Sequence, residues 1–97
     1  MPNPTRYYDV FTQVYNISGN VEVVEQCNGI VVTNIGADIV TVDGKILYPG
    51  TVGTSLGDSF TVGGNEGEIY RRKLIVVAFA ATTGPAVEIS QKYYTSQ

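Results

Sequence analysis

Valine and isoleucine account for 22 of the 97 residues, against 9 for leucine, alanine and methionine together, and this imbalance constrains the fold more than any motif. A β-branched side chain loses χ1 freedom against the preceding turn of a helix and packs well on a pleated surface. Threonine, tyrosine and phenylalanine bring the β-favouring set to 42 residues. No stretch carries apolar residues at the 3.6-residue spacing of an amphipathic helix. An all-helical fold is therefore excluded. By the usual scaling of surface with mass, a chain of 10.4 kDa hides roughly 64% of its unfolded surface on folding, enough for one modest core. The charged fraction of 15% is low, while the hydrophobic fraction of 43% is ordinary, which predicts an ordered chain.

Turn chemistry divides this β-rich chain into short strands. Positions 2–5 hold Pro2 and Pro4 and read as an extended arm, so residues 1–6 are expected to stand apart from a single β-domain over 7–97. Tyr7, Phe11, Tyr15 and Ile17 share one parity and Val10 and Val14 the other, giving a first strand apolar in places on both sides. Val21 to Glu25 reads as a half-solvated strand, Asn28-Gly29 as a turn, and Ile30 to Thr33 as the next strand. Two runs, Ile39 to Val42 and Lys45 to Tyr48, are joined by Asp43-Gly44. A type I′ hairpin needs φ > 0 at both central residues, and Asp-Gly tolerates it. Pro49-Gly50 then predicts a type II turn, followed by a short edge strand or loop from Thr51 to Gly57. Ser59 to Val62 is a strand, and Gly63 to Gly67 a flexible loop. Glu68 to Ala80 is the longest strand candidate, apolar at both parities in its second half, with Val76 and Phe79 expected in the core. Ala86 to Tyr94 is the last strand. Seven or eight short strands make an all-β chain, a single antiparallel β-sandwich of immunoglobulin-like or jelly-roll type.

The residues that are missing exclude most chemistry. With no histidine and one cysteine, Cys27, neither a Ser-His-Asp nor a Cys-His arrangement can form, nor a Cys- or His-rich zinc site, nor an internal disulfide. Cys27 reads as a small, partly buried residue beside the Asn28-Gly29 turn. The glycine-rich loop at Gly63 to Gly67 lacks the following helix that a phosphate site needs. Asp38, Asp43, Asp58, Glu66 and Glu68 lie near turns without the dense spacing of a calcium loop, and nothing places two of them as an acid–base pair. A net charge of −3 offers nucleic acid no broad basic face. Arg71-Arg72-Lys73 falls on the longest strand candidate, which divides it between two faces, and pairing with Glu66, Glu68 or a partner's acids is expected. No signal peptide is read at the N-terminus, and the longest apolar run, Leu74 to Ala81, is too short for a membrane helix. A non-enzymatic protein without cofactor or metal, bound neither to nucleic acid nor to membrane and made in the cytoplasm, is the expectation.

Tyrosine is the residue type with something to offer a partner. Four of the seven lie in near-matching terminal contexts, Arg6-Tyr7-Tyr8 and Lys92-Tyr93-Tyr94. If the terminal strands pair antiparallel the two tyrosine pairs meet, and tyrosine is favoured at protein interfaces. Pro2, Pro4, Arg6, Tyr7, Tyr8, Tyr93 and Tyr94 are thus the candidate contact residues. Ordinary cross-strand packing of edge tyrosines is the alternative.

A further set of residues carries a resemblance: Asn34-x-Gly36, then Thr41-Val42-Asp43-Gly44-x-x-Leu47-x-Pro49-Gly50, then Gly64-Asn65-x-Gly67-Glu68-Ile69, then Ile75-Val76-Val77-x-Phe79. This cadence, over residues 30–80, resembles small β-sandwich auxiliary or decoration proteins of tailed bacteriophage capsids, of crAss-like or related phages. The resemblance implies a virion structural protein made in the host cytoplasm, whose partners are other virion proteins such as a major capsid protein, with self-association a further option. It carries over no catalytic or ligand residue. A small carbohydrate- or cell-surface-binding module, of adhesin or fibre type, is the alternative function. It is weakened by the absence of tryptophan and supported by the tyrosines.

Overall fold

The computed structural model describes residues 7–50, 57–65 and 67–95. Eight strands run β1 (Tyr7–Tyr15), β2 (Gly19–Glu22), β3 (Cys27–Asn34), β4 (Val40–Val42), β5 (Lys45–Leu47), β6 (Ser59–Gly63), β7 (Leu74–Phe79) and β8 (Val87–Thr95). They form two four-stranded antiparallel sheets, β1-β8-β3-β6 and β2-β7-β4-β5. The pairs β1·β8, β2·β7, β3·β6 and β4·β5 all add to nine. The chain is therefore one long hairpin, doubled back at the β4–β5 turn and rolled up until β8 also meets β3 and β7 also meets β4. Of the two sandwich types open at the sequence level, this is the jelly roll.

The turn at which the roll doubles back is the Asp-Gly hairpin expected from sequence. Asp43 has φ 49° and Gly44 φ 83°, and Val42 pairs with Lys45 across the two-residue loop. Asp43 adds to the turn: its Oδ1 accepts the Val76 N–H at 2.8 Å, and the Arg72 guanidinium lies 3.3 Å from its carboxylate. Arg72 thus pairs with an acid other than the two expected.

The core lies between the sheets and consists of Val21, Cys27, Ile30, Val32, Val40, Val42, Leu47, Ile75, Val77, Val87 and Ile89. Small, branched side chains fill it, as the Val/Ile surplus predicts. Three buried amides tie its margins. Gln91 of β8 accepts the Val24 N–H and donates to the Glu22 carbonyl, joining one sheet to the other. Asn34 donates to the carbonyls of Asp38 and Leu47 and accepts the Gly36 N–H. Asn28 donates to the carbonyls of Asn65 and Glu68 and toward the Tyr94 hydroxyl.

Several expectations are corrected. Strand β7 is six residues long, and its burial alternates: Ile75 and Val77 are buried, whereas Val76 is 49% exposed and Phe79 only half-buried. It is central within its sheet, but nothing among the described residues covers that sheet's outer face, so an apolar run at both parities spends half its side chains on solvent. Residues 68–73, including Arg71-Arg72-Lys73, lie outside any strand. Asn28-Gly29 is not a turn. It belongs to β3, where the pairing with β8 shifts register between Cys27 and Gly29, and the positive φ falls at Gln26, 59°. Gly29 is there because β6 and the residue after it pass close: a Cβ on it would meet the Val62 carbonyl oxygen at 2.9 Å and the Gly64 nitrogen at 2.7 Å. Val23 and Val24 follow β2 rather than belong to it. The strand or loop expected from Thr51 to Gly57 lies, apart from Gly57, outside the described residues, and the Pro49-Gly50 turn runs into that stretch.

Candidate functional site

The rolled hairpin brings the two ends of the chain side by side. β1 and β8 pair over nine residues without a break, Tyr7 opposite Thr95, Tyr8 opposite Tyr94 and Asp9 opposite Tyr93. The two tyrosine pairs therefore do meet, as antiparallel terminal strands require. They do not behave alike. Tyr7 and Tyr8 are exposed, at 43% and 60%, and the Lys92 ammonium stands 4.4 Å from the centre of the Tyr8 ring, a cation–π contact. Tyr93 and Tyr94 are half-buried. The Tyr94 hydroxyl accepts the Gly67 N–H at 2.7 Å and lies 3.2 Å from the Asn28 amide nitrogen, so this side chain ties Gly67 to β3. Tyr94 is accordingly a structural tie, and of the four terminal tyrosines Tyr7 and Tyr8 are the exposed ones. Pro2, Pro4 and Arg6 fall outside the described residues.

Beyond the tyrosines, β1 is exposed almost from end to end, with only Tyr15 half-buried. Val10, Phe11 and Val14 are 51%, 40% and 50% exposed. On the outer face Tyr8, Val10, Thr12 and Val14 form one row, and the Thr12 hydroxyl bonds that of Ser90 at 2.9 Å. On the inner face Phe11, Gln13 and Tyr15 line an open cleft of about 470 Å³ against β2 and Val23 to Glu25. Across this cleft β2 does not pack onto the inner face of β1, which stays exposed at Tyr7, Asp9, Phe11 and Gln13. The sequence showed the two-sided apolar pattern of β1 but not that it would remain unburied.

Elsewhere the surface offers shallow clefts with little chemistry. The one beside Tyr70, about 440 Å³, is lined by Asn28, Gly63, Glu68, Ile69, Tyr70, Arg71 and Arg72. Among the described residues no three acids or cysteines gather as a metal site. Burial pushes the Cys27 thiol upward, against a smaller downward pull from the Gly29 backbone; the thiol also donates to the Gly29 carbonyl, and a buried thiol of raised pKa is a poor nucleophile. Burial also raises the phenols of Tyr15 and Tyr70, with the nearby Asp43 charge adding to the rise at Tyr70.

Fold and surface together define an all-β jelly-roll protein with one long, exposed, apolar sheet edge. Comparison with protein-family models, with curated proteins and with solved structures finds no match.

Proposed function

We propose that the chain is a non-enzymatic structural protein that works through protein–protein contacts made at β1, and that its setting is a virus particle, as an auxiliary or decoration subunit of a phage capsid. The observation that carries the contact reading is the exposure of β1. Nine residues, six of them apolar or aromatic and eight of them exposed, run along a sheet edge, and such an edge is a template for pairing with another chain. The virion setting draws on the resemblance over residues 30–80 and on the jelly roll itself, a fold shared by viral capsid and lectin domains. Fold alone does not fix function.

Quantitative mass spectrometry of purified particles tests the setting. Many copies of the chain per particle are expected, and its absence from particles defeats the virion role. Because lectins share the fold, glycan binding is the second reading. The exposed ring of Tyr48 is a platform for it away from β1, and glycan-array binding abolished by Tyr48→Ala would put it first.

A further inference from the structure

We infer that β1 recognises itself: two copies of the chain join β1 to β1 antiparallel about a two-fold axis through Phe11, making one continuous eight-stranded sheet. This rests on the reading of β1 as a contact surface and adds the identity of the partner, a second copy.

The edges of the two sheets carry the first argument. β2, β5 and β6 are four, three and five residues long, and short edges are one of the ways proteins avoid pairing with strangers. β1 has nine residues and, apart from the one charge of Asp9, none of the other protections: no lysine, arginine, proline or glycine, and no bulge in its ladder with β8. Its far side meets no strand among the described residues. Apart from the Val10 N–H, which the Asp9 Oδ1 accepts at 2.8 Å and a partner's carbonyl would have to displace, a row of backbone donors and acceptors is left there for a partner strand.

Register supplies the second argument. In an antiparallel pair, opposed side chains share a face, so across a two-fold axis the numbers of opposed residues must add to an even constant. A sum of 22 is the one that engages all nine residues. It sets Phe11 against Phe11 of the second copy, Tyr8 against Val14, and Val10 against Thr12. Aromatic and β-branched cross-strand pairs of this kind are favourable. The single charge of the strand, Asp9, then faces Gln13 rather than its own copy. The shorter register with a sum of 18 would oppose two Asp9 carboxylates. Sequence, exposure and charge therefore agree on one isologous pairing.

Sedimentation equilibrium of the intact protein up to about 0.1 mM tests the association, and paired cysteine variants test the register. Opposed Cα atoms in an antiparallel pair lie about 4.5–5.5 Å apart, within disulfide reach. Under oxidising conditions Phe11→Cys should give a covalent dimer, whereas Thr12→Cys, facing Val10 of the second copy, should give little. Native Cys27 is buried and does not compete. The double variant Val10→Lys, Val14→Lys should weaken dimerisation by about tenfold or more while its circular dichroism and melting temperature stay those of the parent. A monomer at the highest concentration overturns the proposal. So does equal cross-linking of the two cysteine variants, or an unweakened dimer of the folded double-lysine variant. None of these results bears on whether the chain is found in particles, so the two readings fail separately.

Discussion

Strands β1 and β3 flank β8 on opposite sides and share its antiparallel ladder, one over nine residues and the other over seven paired positions. By composition β1 is the more apolar: Tyr7, Tyr8, Val10, Phe11, Val14 and Tyr15, against Cys27, Ile30, Val31 and Val32 in β3. Burial runs the other way. Val32 and Asn34 are fully inaccessible, Cys27 and Ile30 nearly so, while β1 is exposed over eight of its nine residues. The difference lies in what stands above each strand. β3 is interior to its sheet and its inner face packs into the core, whereas β1 is the last strand and only Tyr15 at its end packs there. Local hydrophobicity therefore says which residues want to be buried, and the tertiary stacking decides which of them are satisfied inside one chain. Those left over are available to a partner.

Substitutions separate the two strands sharply. Val32→Asp on β3 would place an unpaired charge in the core and should abolish folding, visible as loss of the thermal transition. Ile30→Ala should cost about 2–5 kcal/mol in urea denaturation, a large part of a typical total of about 5–15 kcal/mol. At matched apolar positions of β1, Val10→Lys should change the stability of the isolated chain by no more than about 0.5 kcal/mol. Equal losses on the two strands would mean that β1 is covered within the chain after all.

Backbone positions sharpen the same comparison. Gly29→Ala pushes a methyl into the backbone of β6 at the β3 bulge and should lower the melting temperature more than Gly44→Val does. At Gly44 there is open space, and only the positive φ of 83° opposes a side chain, so about 1–2 kcal/mol is expected. Gly44→Val melting like the parent would show that the β4–β5 turn relaxes freely.

The smallest effect is one of pH. The Cys27, Tyr15 and Tyr70 pKa values are raised by burial in the folded state. Above the unfolded pKa values the unfolded chain then binds fewer protons than the folded one, and stability falls as pH rises. Stability from these groups should be fully present below about pH 8 and decline above about pH 8.5–10. Urea midpoints measured across that range check the sign. Cys27 should also resist alkylation until denaturant is added, whereas ready labelling of the native protein would show the core open beside β3.

Much of the fold was legible because turns are local events. Asp43-Gly44 announces its own geometry, since few other pairs tolerate two positive φ values in succession, and that turn proves to be where the whole roll doubles back. Asn28-Gly29 misled because the same kind of pair can serve a close approach between strands: glycine at 29 is needed for β6, a neighbour more than thirty residues away in the chain. Val76 misled for a related reason. An apolar run reads as buried on both faces, and whether a second cover exists is not written in the run. The candidate contact surface was half legible. The meeting of the terminal tyrosines follows from antiparallel pairing of the ends. The tie of Tyr94 to Asn28 and Gly67 depends on a loop that only the packed fold brings near.

The sequence by itself determined the strand-rich class, a count of seven or eight strands, the hairpin at Asp43-Gly44 and the absence of histidine chemistry, because these rest on side-chain branching, turn conformations and residue inventory. Only the tertiary structure decided the rolled order of the strands, the buried amides Asn28, Asn34 and Gln91, and the open edge at β1. Those depend on which segments distant in sequence come to lie against one another. With two faces on every strand and one core to share, packing leaves some apolar faces outside.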